Sequence, residues 1–185
     1  MIPAGYMAKM IANNPGWVSA TANIVDIYSV SGCASHHFAD YIKFWKHNGY
    51  WLFDAPNIIR QLADDEGIDL SPAKFFYYEV YPQQYDEERR GWSTFSPETS
   101  FSTNVRSPEE RNLEGYDVVS FSAHTSPECS PLSCNNAAKN ITVNEHCLLR
   151  TFEEAKSLLE LGAFDKGEPG PFRIFAVYSV PPIQI

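Results

Sequence analysis

The sequence predicts an α+β fold, with a mixed or antiparallel sheet of about four to six strands and helices packed on at least one face. Segments typical of strands and of helices are interspersed but do not alternate strictly, which disfavours a parallel α/β sheet. The chain has 185 residues, and 44% of them are hydrophobic, including 12 Phe, 10 Tyr and 4 Trp. This length and apolar content predict a single globular domain over residues 1–185 with a substantial aromatic core.

Strands are predicted where β-branched and aromatic residues cluster between turn-forming residues. The segments with this composition are residues 23–30, 50–53, 75–81, 117–122 and 173–180. Residues 173–180 are apolar at nearly every position, which predicts a strand that is buried on both faces and lies centrally in the sheet. A loop-rich excursion at about residues 83–112 is predicted to hold at most one short strand, at residues 92–95.

Helices are predicted where apolar residues recur every three or four positions between capping and terminating residues. Residues 35–48 carry such a stripe, which is formed by Phe38, Tyr41, Ile42 and Trp45. The other predicted helices are residues 6–11, 56–66, 134–139 and 152–161, with a single further turn at residues 107–110. The residue pattern predicts no internal repeat.

The formal net charge of −9 predicts an acidic surface and argues against binding to nucleic acid, whose phosphates require a basic surface. Residues 1–6 lack the basic and apolar regions of a secretory signal peptide. No stretch approaches the roughly 18 apolar residues of a membrane-spanning helix. We therefore expect a cytoplasmic protein that does not associate with membranes and whose four cysteines are reduced thiols.

The sequence contains none of the common motifs for nucleotide, cofactor or hydrolase chemistry, so no cofactor is predicted. Cysteine and histidine do cluster in two segments that follow predicted strands ending near Val30 and Ser122. These candidate catalytic residues are Cys33, His36, His37, His124, Cys129 and Cys134. If both segments lie at the same edge of the sheet, these side chains converge, and a helix N-terminus beside a cysteine favours its thiolate. The alternative is that the cysteines pack as small apolar side chains.

Cys129, Cys134, His146 and Cys147 form a second set worth considering, because thiolates and imidazoles are the preferred ligands of zinc. Their spacing does not favour a zinc site, since four residues separate the first two cysteines and zinc sites usually have closer pairs. His146 and Cys147 are adjacent, so in a strand they would point to opposite faces. We therefore predict no metal site.

Three carboxylates lie on predicted strands: Asp26, Glu79 and Asp117. By strand alternation, Glu79 shares a face with the aromatic residues Phe75 and Tyr77. A carboxylate on an aromatic face could have a raised pKa and act as an acid or base, or could face a cationic ligand. The alternative is a solvated or salt-bridged carboxylate with a structural role.

The acidic balance, the aromatic residues of the excursion and the lack of catalytic motifs together favour a non-catalytic binding module. Such a protein, of the inhibitor or immunity type, would recognise a basic protein partner through an acidic rim and aromatic anchors. Its candidate binding residues are Glu79, Tyr85, Asp86, Glu87, Glu88 and Trp92. A small Cys/His-dependent enzyme, with its site at the loops after Val30 and Ser122, is the alternative function.

Overall fold

A computed structural model describes residues 1–11, 23–32, 35–43, 46, 48–121 and 128–181, so Cys33, Trp45 and His124 lie outside the described residues. Within these residues an antiparallel sheet of seven strands is accompanied by two α-helices, which confirms the predicted α+β class. The strands are β1 (Ile2–Ile11), β2 (Ser35–His37), β3 (Lys74–Val80), β4 (Gln83–Asp86), β5 (Gly91–Thr94), β6 (Asn112–Ser120) and β7 (Phe172–Val180). The helices are α1 (Pro56–Glu66) and α2 (Phe152–Glu160).

The sheet is ordered β2-β1-β3-β7-β4-β5, and β6 pairs with β7 off this path. β7 pairs with β3, β4 and β6, so it lies at the centre of the sheet. Residues 172–177 of β7 are all buried, as expected for a strand that is covered on both faces. The central position predicted for the last strand is therefore confirmed.

Both helices begin and end where their capping residues predict. α1 has Pro56 in its first turn and ends at Gly67, whose left-handed backbone (φ 68°) lets its N–H donate to the carbonyl oxygen of Asp64. α2 begins after Thr151, whose hydroxyl accepts the N–H of Glu154 at 3.1 Å. Neither helix is long and apolar enough to cross a membrane, and these are the only α-helices of the described residues.

Three predictions in the first fifty residues are wrong. Residues 6–11 belong to β1 and not to a helix, because β1 is buried on both faces over most of its length and its apolar residues show no strand alternation. Residues 35–48 contain, among their described positions, β2 and a 3-10 turn at Phe38–Tyr41, since pairing with the edge of β1 overrides the helical spacing. Residues 24–29 form no strand, and several of their N–H groups donate to the carbonyl oxygens of residues 145–146.

The excursion at residues 83–112 contains more regular structure than predicted. It opens with a hairpin formed by β4 and β5, and β5 corresponds to the short strand predicted at residues 92–95. Residues 95–111 form no helix or strand, so the helical turn predicted at residues 107–110 is absent.

Two smaller elements are reduced compared with their predictions. The helix predicted at residues 134–139 is a 3-10 turn at Ala137–Lys139. The strand predicted at residues 50–53 makes a single bridge, between Phe53 and Tyr6.

The structure contains an internal repeat, which corrects the expectation of none. β1, α1 and β3 form one unit, and β6, α2 and β7 form a second unit with the same order and the same antiparallel pairing of its two strands. Each first strand has a β-bulge at a glycine that precedes a tyrosine, Gly5-Tyr6 in β1 and Gly115-Tyr116 in β6. The two glycines have φ of 143° and 149°, a backbone region that residues with a side chain rarely enter.

An asparagine anchors each repeat in the same way. Asn48 donates from Nδ2 to the carbonyl oxygen of Ala4 (2.7 Å), and its Oδ1 accepts the backbone N–H groups two and four residues later (3.1 and 3.2 Å). Asn144 donates to the carbonyl oxygen of Glu114 (2.7 Å) and accepts the N–H groups two and four residues later (3.0 Å each). Each asparagine holds the residue just before the bulge glycine, so the two anchors are equivalent.

Each anchored segment then pairs with the bulged strand. Tyr6 exchanges two backbone hydrogen bonds with Phe53, at 2.8 and 2.9 Å. Tyr116 exchanges two with Leu149, also at 2.8 and 2.9 Å. The segment that precedes each helix is therefore fixed to the sheet at two points, its asparagine and the residue that pairs with the tyrosine of the bulge.

The repeats meet at the β3–β7 ladder and are related by an approximate twofold axis. Gly5 lies opposite Tyr78 in the first unit and Gly115 lies opposite Val177 in the second, so Tyr78 and Val177 are equivalent. These two residues also lie opposite one another in the β3–β7 ladder. The axis therefore passes through the Tyr78–Val177 pair at the centre of the sheet.

Helices cover one face of the sheet and loops cover the other. On the helical face, the Arg60 guanidinium lies 5.4 Å from the centre of the Phe75 ring, and Phe152 packs against Tyr116. Strand register and alternation place a different set of side chains on the opposite face, which we call the loop-covered face. This set includes Lys9, Asp117 and Arg173.

Candidate functional site

Two loops meet above the loop-covered face. Residues 29–32 cross this face, and residues 130–134 follow β6. The hydroxyl oxygen of Ser31 lies 3.7 Å from the sulfur of Cys134, so the loops are in direct contact. Residues 29–32 directly precede the candidate Cys33, and residues 130–134 end at the candidate Cys134.

Asp117 of β6 is fully buried beneath these loops. Its Oδ2 accepts the Ser29 hydroxyl (2.7 Å) and the Val30 N–H (2.9 Å), and its Oδ1 accepts the Ser130 hydroxyl (2.6 Å). Burial raises the pKa of Asp117 to about 6, although these hydrogen bonds and the charge of Lys9 oppose the rise. Asp117 is therefore ionised at neutral pH, yet basic enough to accept a proton and return it.

Lys9 of β1 holds the same segment from the other side. Its side chain is fully buried, and its Nζ donates to the carbonyl oxygens of Ser29 and of Ser31, the latter at 3.0 Å. A carboxylate from the second repeat and an ammonium group from the first therefore fix residues 29–31 across the sheet. Burying these two charges is tolerable because each forms several hydrogen bonds.

A chain of hydrogen-bonding groups connects the thiol to the buried carboxylate. It runs from the sulfur of Cys134 to the Ser31 hydroxyl (3.7 Å), on to the Ser29 hydroxyl (3.1 Å), and then to Oδ2 of Asp117 (2.7 Å). Cys134 is half-buried, whereas both serines and Asp117 are buried. The arrangement can carry a proton from a thiol near the surface to an acceptor inside the fold.

His37 lies beside the same segment, and its imidazole is neutral. Burial, reinforced by the charge of Lys9, lowers the pKa of His37 well below 6.5, although the carbonyl groups of Val30 and Ser31 oppose this effect. Its Nε2 has no hydrogen-bond partner. His36, the preceding residue of β2, is exposed. Of the two described candidate histidines, the structure brings only His37 to the cluster.

Cys129, the remaining described candidate cysteine, lies outside the chain of hydrogen-bonding groups. Cys129 is buried, with its sulfur 4.0 Å from the carbonyl oxygen of Ser130, as expected for a structural thiol. Sequence reasoning did not identify Ser29, Ser31 or Lys9. The only sequence feature that could have pointed to the two serines is that two serine-containing segments each lie within five residues of a cysteine.

The four residues considered as zinc ligands do not form one cluster, although Cys134 and Cys147 are close enough for their charges to interact. Among the described residues, no group of three or more His, Cys, Asp or Glu side chains is arranged to hold a metal ion. His146 instead pairs with Asp26 (2.5 Å) and stacks on Tyr28, with ring centres 4.0 Å apart. Cys147 is buried, and burial raises the pKa of its thiol to about 12.

Glu79 lies on the helical face and has its cation within the chain. It accepts Nη1 of Arg111 at 2.7 Å and the hydroxyl groups of Tyr178 (3.1 Å) and Tyr77 (3.3 Å). The Arg111 guanidinium also lies 4.6 Å from the centre of the Tyr178 ring. Arg111, which belongs to the excursion, therefore supplies the cation that the Glu79 carboxylate and the surrounding aromatic rings attract.

The two aromatic binding candidates occupy different environments. Tyr85 is buried, with 2% of its surface exposed, so it belongs to the core of the β4–β5 hairpin. Trp92 is half-buried, and its Nε1 donates to Glu160 at 2.9 Å. Tyr85 therefore lies in the core, whereas Trp92 keeps part of its surface exposed.

The acidic candidates line a surface groove with a volume of about 390 Å³ beside residues 169–171. Asp86 pairs with Arg89 (3.5 Å), and Glu88 is exposed. Glu87 accepts the Gly170 N–H through Oε1 at 3.0 Å, while its Oε2 is buried without a hydrogen-bond partner.

No protein-family model, curated protein sequence or solved structure matches the chain.

Proposed function

We propose that the protein is a thiol-dependent enzyme in which Cys134 is the nucleophile and Asp117 is the proton acceptor. The observation that carries this proposal is the chain of hydrogen-bonding groups from Cys134 through Ser31 and Ser29 to Asp117. A thiol is a weak nucleophile until it loses its proton, so a nearby base is the group such a site needs. Here the base is a buried carboxylate whose pKa lies close to neutral.

The proposed reaction is attack on the carbonyl carbon of an acyl substrate. Cys134 gives its proton to the Ser31 hydroxyl, Ser31 gives its own proton to the Ser29 hydroxyl, and Ser29 gives its own proton to Asp117. The thiolate electron pair forms the sulfur–carbon bond, and the carbonyl electrons move onto oxygen. When these electrons move back from oxygen to carbon, the leaving group is expelled, and it takes up the proton that Asp117 gives back. Water then hydrolyses the thioester, which releases the acid and restores the thiol.

Lys9 and His37 act as positioning residues in this proposal. Lys9 holds the carbonyl groups of Ser29 and Ser31, and its charge favours the ionised form of Asp117. His37 stays neutral at physiological pH and supports the same segment. The proposed enzyme therefore differs from the Cys/His pairing expected from the sequence, because a carboxylate replaces the imidazole as base.

The test is the rate at which iodoacetamide alkylates each cysteine of the native protein, followed by peptide mass mapping. We expect Cys134 to react at least about tenfold faster than Cys129 and Cys147, and Asp117→Asn to slow Cys134 by about tenfold or more at neutral pH. The pH profile of the Cys134 rate should also lose its inflection near pH 6 in Asp117→Asn, which a purely structural role would not cause.

Asp26→Asn is the matched control, because Asp26 is a second buried carboxylate that lies outside the proton path. It should leave the Cys134 rate unchanged, and circular dichroism should show that both variants are folded. The proposal would be refuted if Cys134, Cys129 and Cys147 were alkylated equally slowly. It would also be refuted if Asp117→Asn left the alkylation rate of Cys134 unchanged.

A second candidate function is recognition of a basic protein segment by the acidic groove. The observation that favours it is Glu87, whose Oε2 is buried and lacks a hydrogen-bond donor at the groove wall. Asp86 and Glu88 add negative charge on the same side. A lysine or arginine side chain of a partner would supply the missing donor.

This second function predicts that a nona-arginine peptide associates with the protein at a rate that falls steeply as salt is added. The reason is that long-range attraction guides encounter and is screened over roughly 8 Å at physiological ionic strength. Neutralising Glu87 and Glu88 to glutamine should reduce both the rate and its salt dependence in stopped-flow measurements. Neutralising Glu109 and Glu110, an exposed adjacent pair outside this groove, is the control with the same charge change, and an equal loss in this variant would show that only the overall charge matters.

A further inference from the structure

Arg173 of β7 is the largest fully buried side chain of the described residues. Its Nη2 donates to the carbonyl oxygen of Tyr81 at 3.1 Å. Its Nε and Nη1 are also buried, and neither has a hydrogen-bond partner. No ion pair joins Arg173 to any carboxylate of the described residues. The guanidinium therefore has a buried positive charge and, at Nε and Nη1, unused N–H donors.

Aromatic rings surround the Arg173 guanidinium. Its Cζ lies 3.7 Å from the centre of the Phe95 ring, and 5.5 and 5.6 Å from the centres of the Tyr50 and Phe121 rings. Burial lowers the pKa of Arg173 to about 10, although charge interaction and a side-chain hydrogen bond with Tyr50 oppose this effect. The side chain is therefore still positively charged at neutral pH.

The aromatic contacts offset only part of the cost of burying this charge. Cation–π attraction acts through the ring faces and is weaker than the cost of burying an ion without a partner. It also leaves Nε and Nη1 without acceptors within hydrogen-bonding distance. An oxyanion supplies both the opposite charge and the acceptors, and it forms short, charge-assisted hydrogen bonds with a guanidinium.

We propose that Arg173 binds the oxyanion of a ligand, a carboxylate or a phosphate group, through Nε and Nη1. The aromatic rings of Phe95, Tyr50 and Phe121 exclude water and hold the guanidinium in place. Of these three rings only Phe95 is half-buried, so a ligand would have to enter on its side, next to the excursion.

This oxyanion site lies on the same face as the thiol site. In the β6–β7 ladder, Arg173 is opposite Val119 and Asp117 is opposite Phe175. Arg173 and Asp117 are thus diagonal neighbours, roughly 7–8 Å apart at their Cα atoms. The site would hold the acidic end of a ligand near residues 29–31, but the inference does not depend on Cys134 being a nucleophile.

The test uses wild-type protein and the Nε–H resonance of Arg173 in ¹⁵N NMR spectra. We expect this resonance to shift in a saturable way on titration with inorganic phosphate, with acetate, or with both, and to stay in place with sodium chloride at matched ionic strength. A shift with phosphate alone identifies a phosphate site, and a shift with acetate alone identifies a carboxylate site. Either anion that binds should also raise the thermal midpoint, because it stabilises only the folded state.

Arg111 is the internal control, because its guanidinium is already paired with Glu79. Its resonance should not move. Arg173→Lys should lose the anion-dependent rise in thermal midpoint, while Cys134→Ser should keep it, which separates this inference from the proposed reaction. No shift of the Arg173 resonance with either anion, or an equal shift of Arg111, would mean that ordered water alone satisfies the guanidinium.

Discussion

Gly115→Ala is expected to destabilise the protein by at least about 3 kcal/mol, the sum of backbone strain and overpacking. A Cβ atom at Gly115 would lie 2.7 Å from the carbonyl oxygen of Leu149 and 2.8 Å from Cβ of Leu148. Its φ of 149° is also unfavourable for alanine. The backbone that a side chain would strike is fixed by the Asn144 anchor, so it cannot move aside cheaply. Urea denaturation gives the free energy of unfolding.

Three other glycines provide the matched series for this prediction. Gly5→Ala should cost about as much, because its Cβ would lie 2.6 Å from Cβ of Leu52 at the equivalent bulge. Gly67→Ala should cost only about 1 kcal/mol, since its φ is also positive but no atom lies within 4 Å of the added Cβ. Gly91→Ala should be nearly neutral. If Gly115→Ala cost no more than Gly67→Ala, close packing of the anchored segment on β6 would be disproved.

Lys9→Met is expected to destabilise the fold by about 3–5 kcal/mol, the range for removing one partner from a buried group of charges. The substitution leaves the carbonyl oxygens of Ser29 and Ser31 without their charged donor. It also removes the positive charge that favours ionised Asp117. Lys74→Met is the control, because Lys74 lies opposite Lys9 in the ladder but is exposed. We expect it to cost no more than about 1 kcal/mol in the same denaturation experiment.

The pH dependence of stability identifies which residue responds to Lys9→Met. The pKa of Asp117 is about 6 in the folded protein and about 3.9 in an unfolded chain, so the folded state binds the proton more tightly. Through this residue, the free energy of unfolding rises as the pH falls from 7 to 4. In Lys9→Met this rise should begin at a higher pH, because the loss of the cation raises the pKa of Asp117 further. An unchanged profile would mean that the two charges do not interact.

Local sequence signals identified the elements whose ends are set by local chemistry. Pro56, Gly67 and Thr151 fix the helix ends, and the aromatic run of β3 is long enough to exclude a helix. β1 was not recognisable, because a strand buried on both faces has no alternation to distinguish it from a short helix. Pairing with β3, far along the chain, decides its conformation.

The repeat and the proton path depend on contacts between distant residues. The two units share the Gly-Tyr bulge and the asparagine anchor, which are too few identities to detect from sequence. Cys134 could be named as a candidate because cysteine is rare and reactive. Ser29 and Ser31 could not, since serine is common on every protein surface, and only the fold shows that these two are buried beside Asp117.

The Tyr78–Val177 pair on the twofold axis has a consequence for partly folded chains. Each repeat forms its own strand pair. Without the other repeat, however, the long and largely apolar edge of β3 or of β7 stays unpaired. Open edges of this kind recruit strands from other molecules. Because equivalent residues face each other at the axis, β3 of one copy can pair with β7 of another in the native register. Misassembly of this protein should therefore take the form of domain-swapped dimers, in which every ladder is native and only the connection through residues 83–112 passes between molecules.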